Sequence, residues 1–414
     1  MQTRVEIKQL KFSPEIDNLC FLSKNLYNYV NYLVREIYFY NSKHPTIKKK
    51  FPTAYELVTQ LSKENQVDYR QLPAQTSQQI IMLLMKNWKS FFAALRAYNK
   101  SSTSFTGRPK LPKYKDKVKG RNVLIFTNQQ VTIKDGFLHF PKKTNLQPLR
   151  VKSKTVQQIR ILPNVVGFKL ELVYKKEVTK ELPKLNSNRF VGIDLGVNNF
   201  ATCVSNQGKS MLLKGGIIKS ANQYFNKKLA NLKSILMTSG VVKDVKFATS
   251  KRIKKLNHNR NNIVNNFLHH SSRKIIDFCI ENEIANIVIG NNKLWKQNIK
   301  LGKRNNQNFV QLPFHILIQQ ITYKAEEVGI TVEVTEESYT SKVDHLAKEE
   351  MKHHSKYLGK RVKRGLFKSS TGKLINADVN GGIGILRKVI GDDFLSLLVS
   401  GQVFCPVKIC PISY

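Results

Sequence analysis

The chain has 414 residues, 41% of them hydrophobic, with 22 Phe and 15 Tyr, enough apolar material for two or three folded domains and too much for a disordered chain. Its 69 Lys and Arg against 28 Asp and Glu leave a formal charge of +41, spread over the whole length rather than confined to a tail. Such an excess repels itself unless a polyanion offsets it, so nucleic acid is the expected partner.

Thr3–Lys11 alternates as a first strand. Ser13, Pro14 and Glu15 then start a helix, with Pro at its first position. Leu19, Leu22, Leu26, Val30, Leu33 and Ile37 form its apolar stripe, which runs to about Tyr40. Further helices are expected over Ala54–Glu64 and from Ala74 to about Tyr98, the latter carrying Ile80, Leu83, Leu84, Trp88, Phe91, Phe92 and Leu95. Gln75, Gln78 and Gln79 are either readers of DNA edges or a solvated face. Phe105–Lys115 is broken by Gly107, Pro109 and Pro112. Arg108, Lys110, Lys113 and Lys115 are interleaved there with Phe105 and Tyr114. That mixture suits phosphates and base stacking, or else a solvated linker.

Val123–Phe140 holds two short strands around a Lys134-Asp-Gly hairpin turn, and Gln157–Ile161 and Val165–Tyr174 add two more. Strands on both sides of the helical block make the helices an insertion into a small β-barrel. A polar linker, Glu181–Asn188, leads to a second half whose pattern differs. Val191–Leu195, Phe200–Ser205 and Lys209–Lys214 read as three consecutive strands. Helices at Ala221–Leu236 and Val245–Asn282 follow, then a strand at Ile284–Ile289, a helix at Gln311–Gly329, a strand at Thr331–Thr335 and a helix at Asp378–Ile390. That order is the order of an RNase H-like fold.

No run approaches the ~20 apolar residues of a membrane span. A lipid-binding amphipathic helix is not evident. The N-terminus lacks an apolar leader, so a cytoplasmic, nucleoid-associated protein is expected. Cys20, Cys203, Cys279, Cys405 and Cys410 are few, odd in number and scattered, as reduced thiols are. Cys405 and Cys410 alone make a weak zinc signal.

Asp194 is the most informative single residue. It is an acid in the middle of an apolar strand, and such a carboxylate needs either a hydrogen-bonded core or a metal. Asp378 is a second candidate, at a helix start where an N-cap is the plainer reading. Two carboxylates brought together repel unless a cation lies between them, and hard oxygen ligands select Mg²⁺. Two such ions would suit phosphodiester cleavage. A third acid is due from the Ile284–Ile289 strand, but Gly290 stands where a Glu would serve. One strand further on, Glu336 and Glu337 are within reach of Asp194, since neighbouring strands are ~4.8 Å apart. Glu337 is the better placed to turn inward, and Glu336 is the alternate.

Gly192–Val197 (Gly-Ile-Asp-Leu-Gly-Val), Ile287–Gly290, Tyr339–Lys342 (Tyr-Thr-Ser-Lys) and Asn376–Gly381 (Asn-Ala-Asp-Val-Asn-Gly) resemble the split RuvC motifs of the TnpB (OrfB) family. Phe105–Lys110 resembles the hallmark of that family's N-terminal half, and the likeness covers nearly the whole chain. It implies a transposon-encoded, RNA-guided DNA endonuclease related to type V CRISPR effectors. Such a protein takes a guide RNA from the element's end and double-stranded target DNA beside a short motif, and works as a monomer in the ribonucleoprotein. Asp194 matches the first catalytic acid and Asp378 the third. The motif around Glu337 resembles a subset with a relocated second Glu.

The family commonly carries a four-Cys zinc ribbon where Lys342–Leu374 lies. This interval has no Cys, and Val343 stands where one would often follow. Its three His (His345, His353, His354) lack Cys partners, so no zinc is expected. Lys360, Arg361 and Arg364 in this basic stretch would follow phosphates. The implied architecture is a multidomain α/β protein. Residues 1–12 open a β-barrel (wedge-type) domain, 13–104 are the helical recognition insertion, and 105–183 complete the barrel. Residues 184–414 form the RuvC-like nuclease domain, with a Cys-free insert at about 342–374. The rival functions are a nuclease-dead RNA-guided DNA-binding repressor, if Gly290 is uncompensated, and an accessory single-strand DNA-binding protein.

Overall fold

The computed structural model describes residues 2–176, 182–240, 244–245, 248–292, 311–363, 365–398 and 401–412. Residues 1–178 and 179–414 form two compact units.

In the first unit, β1 (Gln2–Leu10) is followed by helices α1 (Pro14–Lys43), α2 (Ala54–Lys63), α3 (Val67–Gln71) and α4 (Ala74–Lys100). Ser13 caps α1, its hydroxyl accepting from the Ile16 amide, and Thr53 with Glu56 forms a capping box on α2. The chain then makes β2 (Leu124–Thr127), β3 (Thr132–Lys134), β4 (Phe137–His139), β5 (Leu149–Arg150), β6 (Gln158–Asn164) and β7 (Gly167–Lys176). An antiparallel sheet in the order β1-β7-β6-β2 receives strands from both sides of the helical block, so the helices are inserted into it. Among the described residues this sheet does not close into the expected barrel. Its edge strands β1 and β2 do not pair with each other, and β3-β4-β5 form a separate three-stranded sheet. The expected hairpin is β3–β4, turning through Asp135 and Gly136, both with positive φ, as a type I′ turn requires.

The irregular stretch after α4 is an ordered strap on α1. Lys24, Asn28, Asn31 and Arg35 lie on one face of that helix at helical spacing. Lys24 donates to the Lys117 carbonyl (2.7 Å), Asn28 to Lys115 (2.9 Å), and Asn31 (3.1 Å) and Arg35 (2.6 Å) both donate to Pro112. The Lys115 amide returns a bond to Asn28. The strap's backbone is therefore held by polar side chains, and its own basic side chains are left over.

In the second unit, β8 (Asn186–Leu195), β9 (Asn199–Ser205) and β10 (Ser210–Lys214) are antiparallel neighbours. Helices α5 (Gly216–Thr238) and α6 (Lys251–Glu281), β11 (Ile284–Gly290), α7 (Phe314–Glu326) and β12 (Thr331–Thr335) follow. After β13 (Lys360–Lys363), β14 (Leu366–Lys368) and β15 (Leu374–Asn376) come α8 (Ala377–Ile390) and a last strand, β16 (Val407–Ile409). The main sheet has the order β12-β11-β8-β9-β10-β16, with β11 parallel to both β8 and β12. Val191, Ile193 and Leu195 pack with α5, α6 and α7 on one face. The α8 residues Val379, Ile383 and Leu386 cluster with Val204 of β9 on the other. That helix lies so close that a Cβ on Gly192 would sit 2.5 Å from the Gly382 carbonyl oxygen.

The Cys-free basic insert carries a three-stranded sheet, β13-β14-β15, and a buried polar network. Asp344 Oδ2 accepts from the Ser369 hydroxyl (2.9 Å), the Ser370 amide (2.7 Å) and the Ser370 hydroxyl (2.9 Å). Glu349 accepts from the amides of Asp344 and Leu358. Arg387 of α8 donates to His345 Nδ1 (2.9 Å), to the Glu349 carbonyl (2.9 Å) and in bidentate fashion to Asp392. Because Arg387 can only donate, His345 Nδ1 is the acceptor and its Nε2–H donates to the Thr340 carbonyl (2.8 Å). Val343 and His345 are fully buried. Cys20, Cys203 and Cys279 are also buried, and burial pushes the Cys20 and Cys203 thiols up to about 12, so they behave as small apolar groups. Among the described residues no helix is long and apolar enough to cross a membrane.

Burial, chiefly, holds the His345 pKa down at about 4, below an ordinary value of 6.5. The unfolded chain takes up a proton there as pH falls through ~6.5, whereas the folded chain resists until about 4. Stability is therefore expected to fall on acidification across that window, by at most ~3 kcal/mol. Hydrogen exchange of residues 344–370 at pH 7 and pH 5 reads this out. His345→Gln keeps one donor and one acceptor without a titrating ring, and should flatten the difference.

Candidate active site

Asp194 lies near the end of β8, one residue on from Ile193 and two from Gly192, so its side chain shares the α8 face with Gly192. A Cβ at Gly381 would sit 3.0 Å from Asp194 Oδ2, so glycine at that turn of α8 lets the helix pass over the carboxyl. Opposite Asp194 on β9 is Thr202, whose hydroxyl oxygen is buried without a hydrogen-bond partner.

Asp378 stands in the first turn of α8 but does not cap it. Asn376 is the N-cap, its side-chain oxygen accepting from the amides of Asp378 and Val379. The Asp378 carboxylate is therefore free of the helix end, and it accepts instead from the side-chain amide of Asn199, the first residue of β9.

Ile289 pairs with Ile193, which sets Gly290 level with Asp194 on the same face of the sheet. A Cβ on Gly290 would lie 2.6 Å from both Cγ and Oε1 of Glu337 and 2.6 Å from Cδ1 of Ile385. The Glu337 side chain thus fills the space that a side chain at 290 would enter. Its Oε1 is buried and has no hydrogen-bond partner. Glu336, the alternate, is exposed. Glu337 opens a tight turn in which Tyr339 has φ +65°, and the amide and hydroxyl of Thr340 both donate to the Glu337 carbonyl.

Asp194 feels the other two acids. The Asp194 carboxyl is pushed well above the usual range, first by burial, then by the negative charges of Glu337 and Asp378, with the Arg361 guanidinium partly offsetting them. Burial also lifts Glu337 to about 7, opposed by the Lys388 ammonium. Asp194 is the member coupled to both others. Among the described residues, no three His, Cys, Asp or Glu side chains are drawn together into a finished metal cage. The donor set is nonetheless of the right kind: hard carboxylate oxygens, one of them orphaned.

The other expected contacts divide. Arg108, Lys110, Lys113 and Lys115 are exposed on the strap. Tyr114 is not a free stacking platform, because the Arg35 guanidinium lies 4.5 Å from its ring centroid. Gln75 is not a free reader either. Its amide donates to Gln129 (2.9 Å) and accepts from the Thr127 hydroxyl, tying α4 to β2. Gln79 is half-buried and makes only a local contact with the Met82 sulfur. Lys360 and Arg361 are exposed on β13, and Arg364 lies outside the described residues.

Comparison with known proteins fits this arrangement. Residues 172–296 match the family model OrfB_IS605, described as a probable transposase. Residues 314–385 match the TNB domain of the Cas12f1-like type. The TnpB-like protein ORF457 of Acidianus two-tailed virus is 25% identical over 442 residues, covering 95% of this chain and 89% of that protein. The fold is shared with Cas12f1, whose structure was solved as a complex with sgRNA and target DNA. The TM-score is 0.52 at 15% identity, over 90% of this chain and 83% of that one. Two models met in chain order, a relative of nearly equal extent and a common fold support a TnpB-family protein related to the type V effectors.

Proposed function

We propose that the protein is an RNA-guided, Mg²⁺-dependent DNA endonuclease of a transposable element, with one RuvC-type site made by Asp194, Glu337 and Asp378. One observation carries this reading: Glu337 brings its carboxylate into the space beside Asp194 that Gly290 leaves open. The main sheet's order, with three antiparallel strands flanked by parallel β11 and β12, supports an RNase H-like nuclease domain. The rival of a nuclease-dead DNA-binding protein draws its force from Gly290 alone, and the Glu337 side chain lying there counts against it.

Asp194, Glu337 and Asp378 would hold the metal, since all three are hard oxygen donors. Bound there, Mg²⁺ supplies charge neutralisation at the attacking and leaving oxygens of a phosphodiester. The chain's own groups do the rest. Asn199 fixes the direction of the Asp378 carboxylate. Glu337 Oε1, having no partner, keeps its lone pairs for a ligand. Arg361 places positive charge near Asp194, where a phosphate would arrive. Target selection would rest on pairing with a guide RNA, the protein holding backbones through Arg108, Lys110, Lys113 and Lys115 and through the excess of +41. The Cas12f1 complex with sgRNA and target DNA supports both nucleic-acid partners. A short target-adjacent motif, a monomeric ribonucleoprotein and two ions rather than one belong to the same proposal.

Purified ribonucleoprotein should cleave a matched target in Mg²⁺ and stop in EDTA. Asp194→Asn, Glu337→Gln and Asp378→Asn should each slow cleavage by on the order of 10³ or more, a loss of ~4 kcal/mol in transition-state stabilisation, while guide-dependent binding persists. Tight, guide-dependent binding by the native protein with no cleavage would instead establish the repressor reading.

A second outcome tests the relocation directly. Gly290→Glu alone should be inactive or poorly folded, because its side chain meets Glu337. Gly290→Glu combined with Glu337→Gly should regain cleavage relative to Glu337→Gly alone. Single-turnover rates of the three variants decide the point, and failure of the double variant to recover would sink the equivalence of the two positions.

A further inference from the structure

We propose that Lys388 is a positioning residue for the Glu337 carboxylate, acting as a clamp between α8 and the segment that carries the relocated acid. This rests on the reading of Glu337 as a metal ligand. Lys388 Nζ donates to the Glu336 carbonyl (2.8 Å) and to the Ser338 hydroxyl (3.0 Å), one on each side of Glu337. The Glu337 amide donates to Asn292 Oδ1 (2.8 Å), just beyond β11, and the Glu337 carbonyl is taken by Thr340. The backbone around Glu337 is therefore held at the Glu336 carbonyl and at the Glu337 amide and carbonyl, while its Oε1 is left without a hydrogen bond.

The physical need is plain. An acid at 290 would be fixed by the strand ladder that pairs this position with Thr335 of β12. Glu337 lies past the end of β12, where no ladder holds it, and a ligand must be held to within ~0.5 Å of its productive place. Lys388 supplies the missing restraint from the helix that also carries Asp378. Ten residues of α-helix separate the two positions, ~15 Å along the axis, so one rigid element sets both acids against Asp194. A basic residue in a last helical turn ordinarily does no more than complement the helix dipole from solvent. Lys388 departs from that by spending its ammonium on Glu336 and Ser338, and the charged groups facing it are Glu336 and Glu337.

The test uses the full chain, with Lys388→Met to keep the stem and remove the ammonium, and Lys388→Arg to restore a donor. Mn²⁺ binding, followed by electron paramagnetic resonance, should weaken about 10- to 100-fold in Lys388→Met. The metal concentration for half-maximal single-turnover cleavage should rise by a similar factor. Thermal midpoint and target-DNA affinity should stay at native values, and Lys388→Arg should recover most of the loss. Native metal binding in Lys388→Met would overturn the proposal, as would a loss matched by a fall in thermal midpoint or in DNA affinity. Glu337→Gln is the separating control. If it too binds metal as the native protein does, the reading of the site fails; if it loses metal and Lys388→Met does not, the clamp alone fails.

Discussion

Everything in the second unit depends on how closely α8 lies on the sheet. A Cβ on Gly192 would come within 2.5 Å of the Gly382 carbonyl, and one on Gly382 within 2.7 Å of Val204. Only hydrogen atoms fit between helix and strand there. That approach brings the start of α8, with Asp378, and the end of β8, with Asp194, onto one face. It also sets Ile385 beside Gly290, so the space over Gly290 is narrow and a single carboxylate fills it. Packing has here collected like charges, and the Asp194 carboxyl is raised by burial and by the charges of Glu337 and Asp378. A folded protein sustains such a cluster only where surrounding packing enforces it or a cation relieves it.

The first unit solves a different electrostatic problem. Its strap carries Arg108, Lys110, Lys113 and Lys115, which would scatter a free loop by mutual repulsion. Lys24, Asn28, Asn31 and Arg35 hold the strap by its carbonyls, so order costs none of the basic side chains. An extended run fixed by its backbone and basic on its outside presents a preset line of charge, and ordering already achieved on folding need not be paid again on binding.

Period and punctuation made much of this fold legible. The 3.6 stripe of α1, the Ser13 cap, the Asp135-Gly136 turn and the order of long strands in the second half all follow from local rules that packing then reinforces. Asp194 was legible because a charge in an apolar strand conflicts with its setting. The misses share a cause. β13, β14 and β15 are only three or four residues long, with little period to see, and Asp344, Glu349 and His345 find their partners only in three dimensions. Gln75 looks like a free surface amide until Gln129 and Thr127, far along the chain, take both of its ends. Asn199, Asn292 and Lys388 carry no signal at all in one dimension, since each acts on a residue 45 or more positions away.

The pairing of Gly290 with Glu337 shows why a sequence position is a poor unit for a metal site. What the chemistry requires is an anionic oxygen at a point in space beside Asp194. A strand reaches that point with one side chain and no extra ordering. A loop reaches it only if its residues are immobilised, at ~1–2 kcal/mol each, against ~1 kcal/mol returned by each hydrogen bond. The dense bonding of residues 336–340 to Asn292, Thr340 and Lys388 is the structural form that such compensation takes. Gly290 is the other half of the exchange, for any larger side chain would displace the carboxylate that the loop has been ordered to deliver.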